Sequence, residues 1–313
     1  MVDTTSTHAP TIKLNSGHEM PVIGLGTWLH TENIKEIVKA AILDHGYRHV
    51  DTAKLYGNEA DIGEALKEVF AAGIKREELF ITTKLWHDNK NDVEGALNLS
   101  LEKLGLEYVD LYLIHQMRPD LTFENEGVQI KSPPHHVTWK ILEEQVKKGK
   151  IRSIGVSNCT VPVLIDLMAG AEIQPAVNQI ESHPYLQQEP VFEWHKKLGV
   201  AVTCYAAIGS GHFEGRHHEQ KDMSVLKEPV IVAIAEKHGK SPAQVCVQWQ
   251  LQRKHTVVLV KTTKVERLTE NLDSFRFALD EEDLKKIAEL EQDARFYNPR
   301  NWGGDWGHMP YFE

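Results

Sequence analysis

The chain has 313 residues, 41% of them hydrophobic and 26% charged, the mix of a soluble globular protein and an ordinary length for one βα barrel. A net charge of −10 argues against nucleic acid or an anionic membrane as a bulk partner, and no apolar run approaches the ~20 residues of a membrane span. Cys159, Cys204 and Cys246 form no CxxC pair, which favours a reducing, cytosolic setting, and Met1 to Pro10 lacks the basic flank and apolar core of a signal peptide.

In chain order, Thr11 to Asn15 and Glu19 to Val22 flank a glycine turn and read as a small N-terminal hairpin. Pro21 to Trp28 is a buried strand leaving through Gly24 and Gly26, where backbone must come close to something. Glu32 to His45 carries apolar residues at helical spacing and stops at Gly46. A second strand, Tyr47 to Val50, runs into Asp51 and Tyr56, and Asn58 to Phe70 is the next helix. Leu79 to Lys84 is strand, Val93 to Leu104 helix, and Tyr108 to His115 strand. The polar, proline-bearing stretch Gln116 to Pro134 reads as a long surface loop.

Beyond it, Thr138 to Lys148 is helix, Ile151 to Asn158 strand and Val161 to Met168 helix. Pro175 to Gln179 is strand, Glu189 to Leu198 helix and Val200 to Tyr205 strand. Ala206 to Lys227 is too long for a plain connector and reads as a functional loop. Pro229 to Lys237 and Pro242 to Gln252 are helices, Thr256 to Lys261 is the eighth strand, and Val265 to Asn271 and Glu281 to Leu290 complete the helices. This alternation without a composition break predicts one α/β domain over residues 1–313 with a parallel sheet of short, doubly buried strands. Residues 1–10 are expected to be flexible, and the aromatic tail from Ala294 to wrap over the barrel and wall a substrate pocket.

Asp51, Tyr56, Lys84 and His115 stand at successive strand exits, where a βα barrel keeps its chemistry. Reducing a carbonyl needs a hydride from one side and a proton from the other. A free tyrosine, with a pKa near ~10, gives its proton slowly at neutral pH; an ammonium beside it lowers that value by stabilising the phenolate. Lys84 has that chemistry for Tyr56, Asp51 keeps Lys84 charged, and His115 can orient the carbonyl oxygen by a hydrogen bond. The histidines His135, His136, His212, His217 and His218 lack metal-ligand spacing, so no metal is expected.

From Pro21 to about Trp302 the chain resembles the aldo-keto reductase family, nearest the aldose and xylose reductases. The matching stretches are Gly24 to Trp28, Asp51 to Glu59 with Gly63, Thr83 to Trp86, Asp110 to His115, Gly155 to Asn158, Asn178-Gln179 and Leu259 to Lys261. The resemblance implies a single (β/α)8 TIM barrel, with an N-terminal hairpin and a C-terminal loop closing the active-site face, and a monomer. It also implies an oxidoreductase using NADPH to reduce an aldehyde or aldose, with Tyr56 as proton donor. Trp28, Tyr56, Trp86, His115, Asn298 and Trp302 would meet the substrate. A non-catalytic NADP(H)-binding sensor or structural protein on the same barrel is the alternative. Steroid double-bond reduction, which goes with Glu at the His115 position, is disfavoured.

For the cofactor, Gly24-x-Gly26 fails as a Rossmann fingerprint because position 29 is Leu, and Gly239-Lys240-Ser241 fails as a P-loop because Ile234 stands where its first glycine belongs. Lys261, Thr262, Arg267 and Asn271 after the last strand are the better signal, since lysine and arginine suit a dianionic 2′-phosphate. The resemblance adds Glu270 toward the adenine, Ser157, Asn158 and Gln179 toward the carboxamide, and Tyr205 stacked on the nicotinamide. Gly26, Thr27, Trp28, Asp51, Ala206, Ile208 and Ser210 complete the implied cofactor contacts. Three departures stand out: Gln116 replaces the family's frequent Trp, Ala206-Ala207 replaces Ser-Pro, and Leu29 with His212 replaces a salt-bridged latch. Cofactor release is therefore expected to be less restrained than in latched relatives.

Overall fold

The computed structural model describes residues 8–29, 32–124, 127–209, 223–298 and 311–312. An antiparallel hairpin of β1 (Thr11–Lys13) and β2 (Glu19–Pro21) precedes the barrel. The barrel strands begin with β3 (Ile23–Gly26), β4 (His49–Asp51), β5 (Phe80–Leu85) and β6 (Val109–Ile114). A second hairpin, β7 (Leu121–Glu124) and β8 (Gly127–Ile130), then interrupts the series. The barrel resumes with β9 (Ile151–Ser157), β10 (Val177–Glu181), β11 (Ala201–Tyr205) and β12 (Thr256–Val260). The eight barrel strands pair in parallel in chain order, and β12 pairs with β3 to close the ring.

Between the strands run α1 (Ile34–Leu43), α2 (Glu59–Ala71), α3 (Val93–Leu104), α4 (His135–Lys147), α5 (Val161–Gly170) and α6 (Glu189–Leu198). The last four are α7 (Pro229–His238), α8 (Pro242–Leu251), α9 (Glu266–Leu272) and α10 (Glu281–Ala288). The helices bury their apolar stripes on the outer strand face, as Ile37, Val38 and Ala41 of α1 do beside Val50 and Ile81. Alternate strand residues fill the interior, where Phe80, Leu111, Leu113, Val177 and Val257 pack together.

Two expectations change. The stretch after His115 is not a plain surface loop: Gln116, Met117 and Arg118 are buried, and the β7–β8 hairpin pairs Leu121 with Ile130. The two stretches, Leu-Thr-Phe-Glu and Gly-Val-Gln-Ile, alternate in the sequence but are short and set in a polar segment. The helix expected from Thr138 begins earlier, with His135 and His136 opening α4. The close approach expected at Gly24 is to the protein's own interior: a Cβ there would sit 2.4 Å from Nδ1 of His49. No helix among the described residues is long and apolar enough to cross a membrane.

Candidate functional site

Strand polarity gathers the site. Gly26, Asp51, Ser157 and Tyr205 are the last residues of β3, β4, β9 and β11; Lys84 is the second-last of β5. His115 follows β6 and Lys261 follows β12, so all open on the C-terminal mouth of the barrel. Asp51 pairs in register with Thr82, which puts Lys84 one interior position nearer the mouth. The intervening Thr83 faces out instead and donates to the buried Glu59 of α2 at 2.6 Å.

Lys84 is fully buried, with its Nζ 2.5 Å from Oδ1 of Asp51, 2.9 Å from the Thr52 carbonyl and 3.3 Å from the Tyr56 hydroxyl. Gln179 donates from Nε2 to the other Asp51 oxygen at 2.8 Å. Tyr56 sits on a single 3₁₀ turn, Lys54–Tyr56, which ends at left-handed Gly57. The His115 ring stands edge-on to Tyr56, with centroids 5.6 Å apart, and to Trp86, at 5.0 Å. The four residues expected to act together are therefore in one cluster.

Burial, with the Asp51 charge adding to it, pushes the Tyr56 phenol well above its ordinary value of 10. This is opposite to the lowering expected from Lys84, because the loss of water around the buried phenol disfavours the phenolate more than anything else beside it. Burial also pulls the Lys84 ammonium down against the opposing pull of Asp51, and raises the Asp51 carboxyl against Lys84. His115 lies well below 6.5, from burial first and then the charge of Lys84, so its imidazole is neutral at pH 7. Among the described residues its buried Nδ1 has no hydrogen-bond partner. The cluster can thus present a protonated phenol and an uncharged imidazole at one mouth.

The residues expected to hold the cofactor divide into two groups. Around the cluster, Asn158 donates to the His115 carbonyl at 3.0 Å and accepts from the Tyr205 hydroxyl at 2.7 Å. Ser157 donates to the Gln179 carbonyl at 2.9 Å. The side-chain amide of Asn158 is thus tied to the protein at both ends. Thr27 donates to the Asp51 carbonyl at 3.0 Å, and Trp28 meets Tyr297 edge-on at 5.4 Å. Three non-glycine residues just beyond strands, Leu29, Asn158 and Ala206, hold φ of 59°, 54° and 54°, a strain that the site's surroundings must enforce.

The second group follows β12. Lys261, Lys264 and Arg267 are exposed, and among the described residues none of them enters an ion pair. Burial lowers the Lys261 ammonium. Thr262 and Asn271 are buried, and Glu270 accepts through its carbonyl from Gln244 at 3.0 Å. Three uncompensated cations within seven residues fit a phosphate. Ile208 packs half-buried against the core, and Asn298 is half-buried. Ser210, His212, His217, His218, Trp302 and Trp306 lie outside the described residues. Among the described residues no three His, Cys, Asp or Glu side chains gather as a metal site.

Several contributors were missed in the sequence. Asn58 ties two strand exits, accepting from Thr52 at 2.9 Å and donating to the Thr27 carbonyl at 2.9 Å. Buried Lys90, its ammonium lowered to about 8 by burial, holds the chain after His115 through the carbonyls of Gln116 at 3.3 Å and Arg118 at 2.5 Å. Glu181, two residues after Gln179 on β10, shares its interior face; that spacing was the signal for it.

Comparison with known proteins agrees with this geometry. The Aldo/keto reductase family model matches residues 22–292. The chain is 42% identical to the NAD(P)H-dependent D-xylose reductase I,II of Candida tropicalis, covering 98% of this chain and 99% of that one. It is 41% identical to the NADP-dependent D-sorbitol-6-phosphate dehydrogenase of Malus domestica, covering 94% and 98%. It is 40% identical to Aldo-keto reductase family 1 member A1 of Rattus norvegicus, covering 93% and 92%. On the barrel, its mouth and these matches together, the chain is an oxidoreductase belonging to the aldo/keto reductase family.

Proposed function

We propose that the protein reduces an aldehyde or aldose carbonyl to the alcohol, with NADPH as reductant and Tyr56 as proton donor. The observation that carries this reading is the Asp51–Lys84–Tyr56 chain of contacts beside a neutral His115. A bound NADPH supplies the hydride that the carbonyl carbon accepts. Tyr56, kept protonated by burial, gives its proton to the carbonyl oxygen as negative charge develops there. Lys84 then faces the phenolate at hydrogen-bond distance and stabilises it, while Asp51 and Gln179 hold Lys84 in line. Neutral His115 orients the carbonyl oxygen through an imidazole N–H. Tyr205 would back the nicotinamide, and Lys261 and Arg267 would take the 2′-phosphate.

Trp28, Trp86, Tyr297 and Asn298 make the substrate walls, with the tail from residue 294 contributing the last two. The names of the xylose reductase and the sorbitol-6-phosphate dehydrogenase support a sugar-sized carbonyl substrate and an NADP-type cofactor. Mixing the protein with NADPH and glyceraldehyde and following NADPH absorbance tests the reading. Aldehyde-dependent loss of absorbance, faster than with NADH, is expected. Tight NADPH binding without turnover of any aldehyde in a panel would favour a non-catalytic nucleotide-binding protein instead.

A further inference from the structure

The carboxylate of Glu181 is fully buried in the barrel mouth, yet the proton transfer proposed above does not use it. Its two oxygens accept backbone N–H groups from consecutive tail residues, Oε1 from Phe296 at 2.7 Å and Oε2 from Tyr297 at 3.0 Å. His183 approaches Oε1 through Nε2 at 3.0 Å, and the Arg295 guanidinium lies 3.9 Å from Oε2. A carboxylate taken out of water is costly unless its oxygens are satisfied, and this one has a donor on each.

Adhesion of the tail does not require a carboxylate there. Phe296 is buried among Tyr185, Val225 and Ile231, and burial of that kind holds a segment without fixing its direction. Two oxygens on two successive N–H groups do fix direction and register. What they fix is the Tyr297 ring, which stands edge-on to Tyr205 at 5.4 Å and to Trp28 at 5.4 Å. Tyr205 is the proposed backing of the nicotinamide, and Trp28 a wall of the substrate mouth. One side chain of the tail thus touches both sides of the reacting pair.

We propose that Glu181 is a positioning residue for the reaction: its carboxylate sets the Arg295–Tyr297 segment so that Tyr297 holds Tyr205 and Trp28 in the spacing an extended sugar chain requires. The inference rests on the reductase reading. If that reading fails, the unsubstituted protein oxidises no NADPH with any aldehyde; if only the inference fails, the variants below are active with unaltered selectivity.

Glu181→Gln keeps the shape but replaces one acceptor by a donor, so one of the two tail N–H groups loses its partner. Tyr297→Leu leaves Glu181 intact and removes the ring, which keeps the test available should Glu181→Gln fold poorly. Steady-state kinetics with NADPH are read on a five-carbon aldose and on glyceraldehyde. In both variants KM for the aldose is expected to rise about tenfold or more, and in Glu181→Gln, which lies outside the substrate walls, kcat on glyceraldehyde changes less than about threefold. A purely structural role gives a lowered unfolding temperature with equal losses on both substrates. That result, or no change in the aldose KM, overturns the proposal.

Discussion

At the residue scale the site depends on charges held without water. Asp51 and Lys84 are both almost fully buried and 2.5 Å apart, so removing one leaves the other uncompensated. Lys84→Met is expected to destabilise the fold by about 3–5 kcal/mol, and adding Asp51→Asn should return part of that loss. Urea unfolding of the two single variants and the double variant measures the coupling; additive effects would contradict it. At the proposed phosphate-binding cations, Lys261→Ala and Arg267→Ala should each weaken NADPH about 10–100-fold, as the loss of a charge-assisted hydrogen bond does, with NADH affinity almost unmoved. Isothermal titration with both nucleotides decides, and equal loss for the two would remove these residues from the 2′-phosphate site. Tyr56, Lys84, Asp51 and His115 were legible because each ends or follows an apolar strand. The direction of the Tyr56 shift was not, because it depends first on how completely the barrel mouth buries the phenol and then on the Asp51 charge beside it, matters of packing rather than residue type.

At the element scale, strands and helices followed their periodicity closely. Val93–Leu104 and Glu189–Leu198 fall where spacing and glycine stops put them, and α3 and α6 end on left-handed Gly105 and Gly199. The β7–β8 hairpin was passed over because alternation over four residues is a weak signal inside a polar stretch. Glycine meaning also needed coordinates. Gly63 on α2 lies against α3 so closely that a Cβ would sit 2.2 Å from the Lys103 carbonyl. Backbone cannot yield as a flexible side chain does, so Gly63→Ala should destabilise by about 1–3 kcal/mol through overpacking. A thermal melt reads this, and an unchanged or raised midpoint would show that the two helices separate freely.

At the scale of the whole molecule, several histidines are buried or half-buried as neutral rings. Burial holds His49 at about 3 and, with neighbouring cations, His87 and His135 at about 4; His115 is also well below 6.5. Each folded value lies under the unfolded value of about 6.5, so below that pH the unfolded chain binds more protons than the folded one. Stability is therefore fully present above about 6.5 and falls as pH drops from there toward 4. Denaturant midpoints between pH 8 and 4 test this, and a flat profile down to pH 4.5 would contradict it. The barrel itself explains why a cluster split over residues 51–115 and the cations Lys261, Lys264 and Arg267 share one mouth: β12 closes on β3.

Single-turnover reduction of glyceraldehyde by Tyr56→Phe, beside the unsubstituted protein, tests the proposed chemistry most directly. The rate should fall by about 10²–10⁴-fold, the contribution of a positioned general acid, with NADPH binding held within about twofold. Retention of more than about a tenth of the rate would mean that the proton comes from elsewhere.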